Sequence, residues 1–147
     1  MTALRMARDL DAGAVGAILS EFVDTSDWMP RIHTRAEDIA HAARMIDLGR
    51  VHVVEDNGKV VGFCARNGDD LDALYVASEK RGQGIGAALL RHAQTAVDRL
   101  ELWTFQANEG AQRFYLRHGF VELQRTDGSG NDERLPDIQY EWQRETV

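Results

Sequence analysis

The run Arg81-Gly82-Gln83-Gly84-Ile85-Gly86-Ala87 carries the most specific chemistry in the chain. It lies between a strand-like stretch, Leu71 to Val76, and a helix-like one, Ile85 to Val97. Glycines at such a junction let the backbone approach a ligand closely and turn its N–H groups outward. The first turn of the helix adds unpaired donors and the positive end of its dipole. Together these features suit a pyrophosphate, so the run reads as a site for a phosphorylated cofactor.

Spacing selects among such cofactors. Gly82, Gly84 and Ala87 satisfy the dinucleotide fingerprint in form, but five residues, Ala77 to Arg81, separate them from the strand. The next strand, Leu100 to Phe105, carries its acid Glu101 near the start and not at the end, where a ribose would need it. No Gly-Lys-Ser/Thr is present, which excludes a Walker site. A second informative run lies downstream, Asn108-Glu109-Gly110-Ala111-Gln112-Arg113-Phe114-Tyr115-Leu116-Arg117-His118-Gly119-Phe120. Asn108 suits a helix N-cap, and Ala111, Phe114, Tyr115 and His118 follow at helical spacing. Gly119 suits a left-handed stop, after which Phe120 packs back as a strand begins.

In this order the two runs resemble motifs of the GNAT superfamily of N-acetyltransferases. Arg81 to Gly86 is similar to its Arg/Gln-x-x-Gly-x-Gly/Ala acetyl-CoA loop, and Asn108 to Phe120 to its Asn-x-x-Ala-x-x-Phe-Tyr-x-x-x-Gly-Phe segment. The motifs span residues 71 to 121, and the order of elements extends the likeness to most of the chain. The resemblance implies acetyl-CoA as co-substrate, held by Arg81, Gly82, Gln83, Gly84, Ile85, Gly86 and Ala87. It implies that the backbone of Leu74, Tyr75 and Val76 meets the pantetheine arm and the acetyl group, with Asn108 contacting the pantetheine amides. Tyr115 falls where the family places the acid for the leaving thiolate.

A general base is less defined. One protein-acetylating branch has a glutamate eleven residues before the first loop residue, which lands on Asp70. Asp72 shares that strand face if the strand reaches so far. Both read more simply as solvated strand-start carboxylates, and His52 and Glu55 are alternatives. One departure is Ser78, where many members carry proline.

The remaining sequence sets bounds. The 147 residues suit one domain, residues 1–147, and 44% hydrophobic with 28% charged residues suits a water-soluble globule. No apolar run is long enough to span a membrane, and the first residues lack the apolar segment of a signal peptide. A net charge of −7 argues against nucleic acid and is compatible with a cationic amine acceptor. The single cysteine, Cys64, sits in an apolar strand, where it reads as a small buried hydrophobe. It is compatible with a reducing cytoplasm, the expected location. The five histidines show no metal-ligand spacing, so no metal is expected.

The supporting elements follow from period and punctuation. Leu4 to Met6 reads as a strand, and Asp11 as the cap of a helix from Ala12 to Phe22. Thr34 with Glu37 forms a capping box for a helix to about Leu48, with Ile39, Ala42, Ala43 and Ile46 as its apolar stripe. Val51 to Glu55 and Val60 to Ala65 are strands joined through Asn57-Gly58, a hairpin signal. Phe120 to Gln124 and the alternating Ile138, Tyr140 and Trp142 give two final strands. The order βααβββαβαββ predicts an α/β (α+β type) fold, a mixed six- to seven-stranded sheet flanked by about four helices. The resemblance implies that the two parallel strands flanking the helix after the glycine loop splay apart.

The acceptor pocket is expected between the loops Asp24–His33 and Thr126–Asp137, with Trp28 and Met29 either forming its apolar wall or pinning a loop to the core. The expected activity is acetyl transfer to a primary amine, on a small molecule, peptide or protein, directly within a ternary complex. The alternative is a non-catalytic acyl-CoA-binding module. Apolar strand positions near Trp142 offer a surface for homodimer pairing.

Overall fold

In the computed structural model, which describes residues 1–145, strand β1 (Thr2–Met6) leads through a short 3₁₀ turn into helix α1 (Ala12–Thr25) and helix α2 (Arg35–Asp47). Strands β2 (Val51–Asp56), β3 (Lys59–Asn67) and β4 (Asp70–Val76) follow as a meander. Helix α3 (Ile85–Ala96), strand β5 (Arg99–Phe105), helix α4 (Glu109–Arg117) and strands β6 (Val121–Thr126) and β7 (Asp137–Gln143) complete the order. All seven strands form one sheet in the order β1-β2-β3-β4-β5-β7-β6. The fold class is therefore the expected one.

Local chemistry explains several joints. Asn57 and Gly58 both take positive φ, 53° and 80°, which a two-residue hairpin between twisted strands requires. The capping box forms as read: the Glu37 N–H donates to Thr34 Oγ1 at 3.1 Å and the Thr34 N–H to Glu37 Oε1 at 2.9 Å. Two expectations fail. Asp11 does not cap α1 with its side chain, because its oxygens are taken by the Arg5 guanidinium and the Arg8 N–H. The buried face of α2 is also rotated from the expected stripe. It carries Asp38, Ala42, Met45 and Ile46, while Ile39 is exposed by 41% and Ala43 faces water. The Ser20 hydroxyl donates to Asp38 at 2.6 Å and Arg31 pairs with it, which satisfies a carboxylate that period alone would place outside.

The sheet separates two apolar layers. On one side α3 and α4 cover Val61, Leu71, Leu100, Leu102, Ile138 and Tyr140; on the other, α1 and α2 cover Val53, Phe63 and Ala65. Strand β3 is buried on both faces, so it reads as a continuous apolar run and not as an alternating one.

Candidate active site

Strands β4 and β5 run parallel but meet at a single register position, Asp70 with Glu101, supported by the Glu101 N–H donating to the Asp69 carbonyl at 2.8 Å. Beyond that point each strand pairs only outward, β4 with β3 and β5 with β7. The strands thus splay, and the inner edge of Leu74 to Val76 has no strand partner among the described residues. Unpaired backbone groups at such an edge are strong hydrogen-bonding positions that a ligand must satisfy.

A cavity of about 600 Å³ opens over this gap. Leu74, Tyr75 and Val76 line it from β4, and Arg81, Gly82, Gly84, Ile85, Gly86 and Ala87 from the glycine loop and the start of α3. Asn108 and Tyr115 line it from α4, as does Trp28 from the α1–α2 loop. Of the expected loop residues only Gln83 does not face it. Gly82 and Gly84 adopt φ of 77° and 81°, where a side chain would be strained. Gly84 is the N-cap of α3, so the first N–H groups of that helix open at the cavity. Arg81 has no ion-pair partner among the described residues, whereas Lys80 is paired with Asp56 at 3.0 Å.

Asn108 Oδ1 accepts the Ala111 N–H at 3.1 Å, so its cap role is real. It leaves the side-chain amide N–H groups available at the cavity wall. Tyr115 is 8% exposed and packed between Phe114 and Phe120, at centroid distances of 5.2 and 5.3 Å. Burial, with smaller effects of Tyr75 and Cys64, pushes its phenol above the ordinary range, so it stays protonated at neutral pH.

A second cavity of about 570 Å³ lies on the α1–α2 side of the sheet. Met29 and Arg31 of the α1–α2 loop, His41 of α2, Phe105 of β5, and Asp132 and Glu133 of the β6–β7 loop line it. Tyr75 lines both cavities and is the partition between them. Burial first, and Glu133 second, push its phenol up to about 12. Phe22 packs on Tyr75 at 4.8 Å, and Trp28 bridges from Phe22 at 6.0 Å to Phe105 at 5.6 Å. Trp28 and Met29 therefore face different cavities.

The carboxylates Asp70 and Asp72 are not brought to this place. They sit at the start of β4, where the strands still pair, and line neither cavity. Asp72 is the extra residue of a bulge opposite Ala65 and Arg66, so simple alternation does not set its direction. Burial and then Asp70 raise its pKa, while Arg50 and His41 oppose the shift. His52 stacks on His92 at 4.3 Å and Glu55 bonds Arg5, so both alternatives are also away from the cavities. Tyr75 as partition, Phe22, and the Asp132–Glu133 pair were not signalled individually. The acidic pair Asp132-Glu133 inside the long loop is the available sign.

With fold and site in place, comparison with known proteins is decisive about class. A family model described as "Acetyltransferase (GNAT) domain" matches residues 47–122. The chain belongs to this acetyltransferase family. Peptidyl-lysine N-acetyltransferase YjaB of Salmonella typhimurium is 36% identical over 74 residues, 50% of this chain and 51% of that protein. The chain thus spans about half the length of that curated relative. Peptidyl-lysine N-acetyltransferase YiaC of Escherichia coli is 31% identical over 120 residues, 78% of this chain and 82% of that protein. Among solved structures, apo YjaB from Escherichia coli superposes with a TM-score of 0.81 at 23% identity, covering 99% of both chains. The Salmonella typhimurium protein yncA, solved with its cofactor acetyl-CoA, superposes at 0.74 with 21% identity, covering 100% of this chain and 96% of that one.

Proposed function

We propose that the protein moves an acetyl group from acetyl-CoA to a primary amine, by direct transfer in a ternary complex, and that peptide lysine side chains are its main acceptor class. The observation that carries the reading is the pair of cavities meeting at Tyr75, the first spanning the split between β4 and β5 from the glycine loop to the end of α1, the second lying on the α1–α2 side. An acyl donor entering from the glycine loop and an amine entering from the α1–α2 side meet at that split without a covalent enzyme intermediate. The relatives named peptidyl-lysine N-acetyltransferases support the acceptor class, and yncA with acetyl-CoA supports the donor.

The residues divide the work as follows. The N–H groups of Gly82 to Gly86 and of the first turn of α3, with Arg81 beside them, hold the pyrophosphate. The open edge of Leu74 to Val76 aligns the pantetheine amides and supplies a backbone N–H to the oxygen that gains charge during attack. The attacking amine must be neutral, and lysine titrates near ~10.4, so only on the order of one in 10³ is ready at pH 7. Its proton leaves towards the second cavity, since no carboxylate among the described residues lines the cofactor-side cavity. As the carbon–nitrogen bond forms and the carbon–sulfur bond breaks, Tyr115 donates its phenolic proton to the departing thiolate and regains one from the nitrogen. Asp132 and Glu133, which have no ion-pair partner among the described residues, favour approach of a cationic chain.

Mass spectrometry of lysine peptides incubated with protein and acetyl-CoA tests the reading. Acetylated lysine supports it. Acetyl-CoA binding without transfer to any lysine peptide or small amine overturns it, in favour of an acyl-CoA-binding module.

A further inference from the structure

Ser78 opens the three-residue 3₁₀ turn, Ser78–Lys80, that carries β4 into the glycine loop. The first N–H of such a turn has no partner within it. Here it donates to Glu21 Oε1 of α1 at 2.8 Å, across 57 residues of sequence. The preceding N–H, of Ala77, donates to the Val61 carbonyl at 2.8 Å, so the turn is held by β3 on one side and α1 on the other. The next residue of α1, Phe22, packs on Tyr75, the partition between the two cavities. A carboxylate beside a loop that binds an anion opposes that binding electrostatically, so its placement calls for a compensating role.

We propose that Glu21 is a positioning residue that locks the entrance of the cofactor loop to α1, and through Phe22 and Tyr75 couples donor binding to the shape of the acceptor wall. This rests on the acetyl-transfer reading above. The coupling needs no new contact. The Glu21 bond fixes where α1 sits relative to the loop, and α1 fixes the ring that walls the acceptor side. Loss of the bond disturbs two properties at once, acetyl-CoA affinity through the loop and acceptor affinity through the wall.

A proline at position 78 separates the two. It has no N–H to satisfy and suits the first position of a helical turn. Ala77 already holds the extended backbone, φ −54° and ψ 138°, that a residue before proline prefers. The test uses Glu21→Ala, Glu21→Gln, Ser78→Pro and the double variant Glu21→Ala/Ser78→Pro. Acetyl-CoA affinity is read by calorimetry, and affinity for a lysine peptide is read on protein saturated with CoA. Glu21→Ala weakens both by about fivefold, the loss of one exposed hydrogen bond of ordinary strength. Glu21→Gln, which keeps the acceptor oxygen and removes the opposing charge, keeps the wild-type peptide affinity and binds acetyl-CoA at least as tightly as the wild type. The double variant regains acetyl-CoA affinity but keeps the weakened peptide affinity, and Ser78→Pro alone shows the same weakened peptide binding. Unchanged affinities in Glu21→Ala overturn the proposal, as does a double variant that regains peptide affinity too. Because both readouts are equilibrium binding, absence of turnover would sink the acetyl-transfer reading while leaving the lock decided on its own evidence.

Discussion

At the scale of single residues, Tyr115 and Gly84 separate chemistry from binding. Tyr115 is buried at the wall of the cofactor-side cavity, and burial keeps its phenol protonated at neutral pH while making it a weaker acid than a free phenol. Tyr115→Phe keeps the ring packing, so kcat is expected to fall roughly 10- to 100-fold while acetyl-CoA affinity is unchanged. The loss falls at or below the bottom of the usual general-acid range because a thiolate leaves readily. A weakened affinity instead marks the hydroxyl as a binding group. The pH profile follows from the same shifts. Because burial keeps Tyr75 and Tyr115 protonated, kcat/KM for a lysine peptide should climb with pH as the amine deprotonates, without an alkaline fall before about pH 10. A fall near neutrality would contradict the assignment of Tyr115 as the acid. Gly84 was legible from its place in the loop, and its φ of 81° gives the reason. Gly84→Ala forces a side chain into the left-handed region at about 1–2 kcal/mol and is expected to weaken acetyl-CoA about tenfold, measured by calorimetry. Tyr75 was named only for its backbone. Its partition role needed the three-dimensional course of α1, since nothing in the sequence near it announces Phe22 or Phe105.

At the scale of elements, legibility followed how local the physics is. The Asn57-Gly58 hairpin, the Thr34–Glu37 box, the Asn108 cap and the Gly119 stop are decided within a few residues, and each forms as read. The α2 face and the supposed Asp11 cap failed because distant partners intervened, Ser20 and Arg31 for the first and Arg5 for the second. Asp11 shows the consequence for stability. The Arg5 bond holds its carboxyl below the usual range, against the opposing effect of burial. A depressed folded-state pKa means the stabilisation is present above the unfolded value near ~3.9 and is lost as pH falls through the lower folded value. Arg5→Ala should therefore cost about 2 kcal/mol at pH 7, read by urea unfolding, and distinctly less at a low pH where Asp11 takes up its proton in the folded state as well. An equal cost at both values would show that Arg5 acts through packing alone. The β6–β7 loop was expected to be long and polar, but its internal order was not legible. Asn131 brackets its tip by donating to the Leu135 carbonyl at 2.7 Å and accepting the Leu135 N–H at 3.2 Å, which fixes the segment bearing Asp132 and Glu133.

At the scale of the whole molecule, the sheet behaves as two outward-paired halves joined at one register position beneath the site. Strands β1 to β4 form one antiparallel half, and β5, β7 and β6 the other. The sequence could announce the order of strands because each has its own apolar pattern. It could not announce the splay, which is an absence of pairing between two strands that each satisfy the strand pattern. A ligand seated in the split would supply partners to both halves at once, so donor binding should be felt as global stabilisation and not as a local change of the loop. For one site, acetyl-CoA at a hundred times its Kd adds about 2.7 kcal/mol. In a chain of this size that corresponds to a rise of roughly 5–10 °C in Tm. NADH and ATP at the same concentration should give no comparable rise, because neither offers a pantetheine arm for the open edge of Leu74 to Val76. The acceptor side adds a second, electrostatic test. Asp132→Asn/Glu133→Gln should raise KM for a lysine peptide roughly threefold at low salt, with the difference from wild type shrinking towards 0.5 M salt as exposed charges are screened. The Tm rise with acetyl-CoA must survive in this variant, since its substitutions lie across Tyr75 from the donor. If the rise were lost with them, the two cavities would be one binding site and the ternary-complex reading would give way.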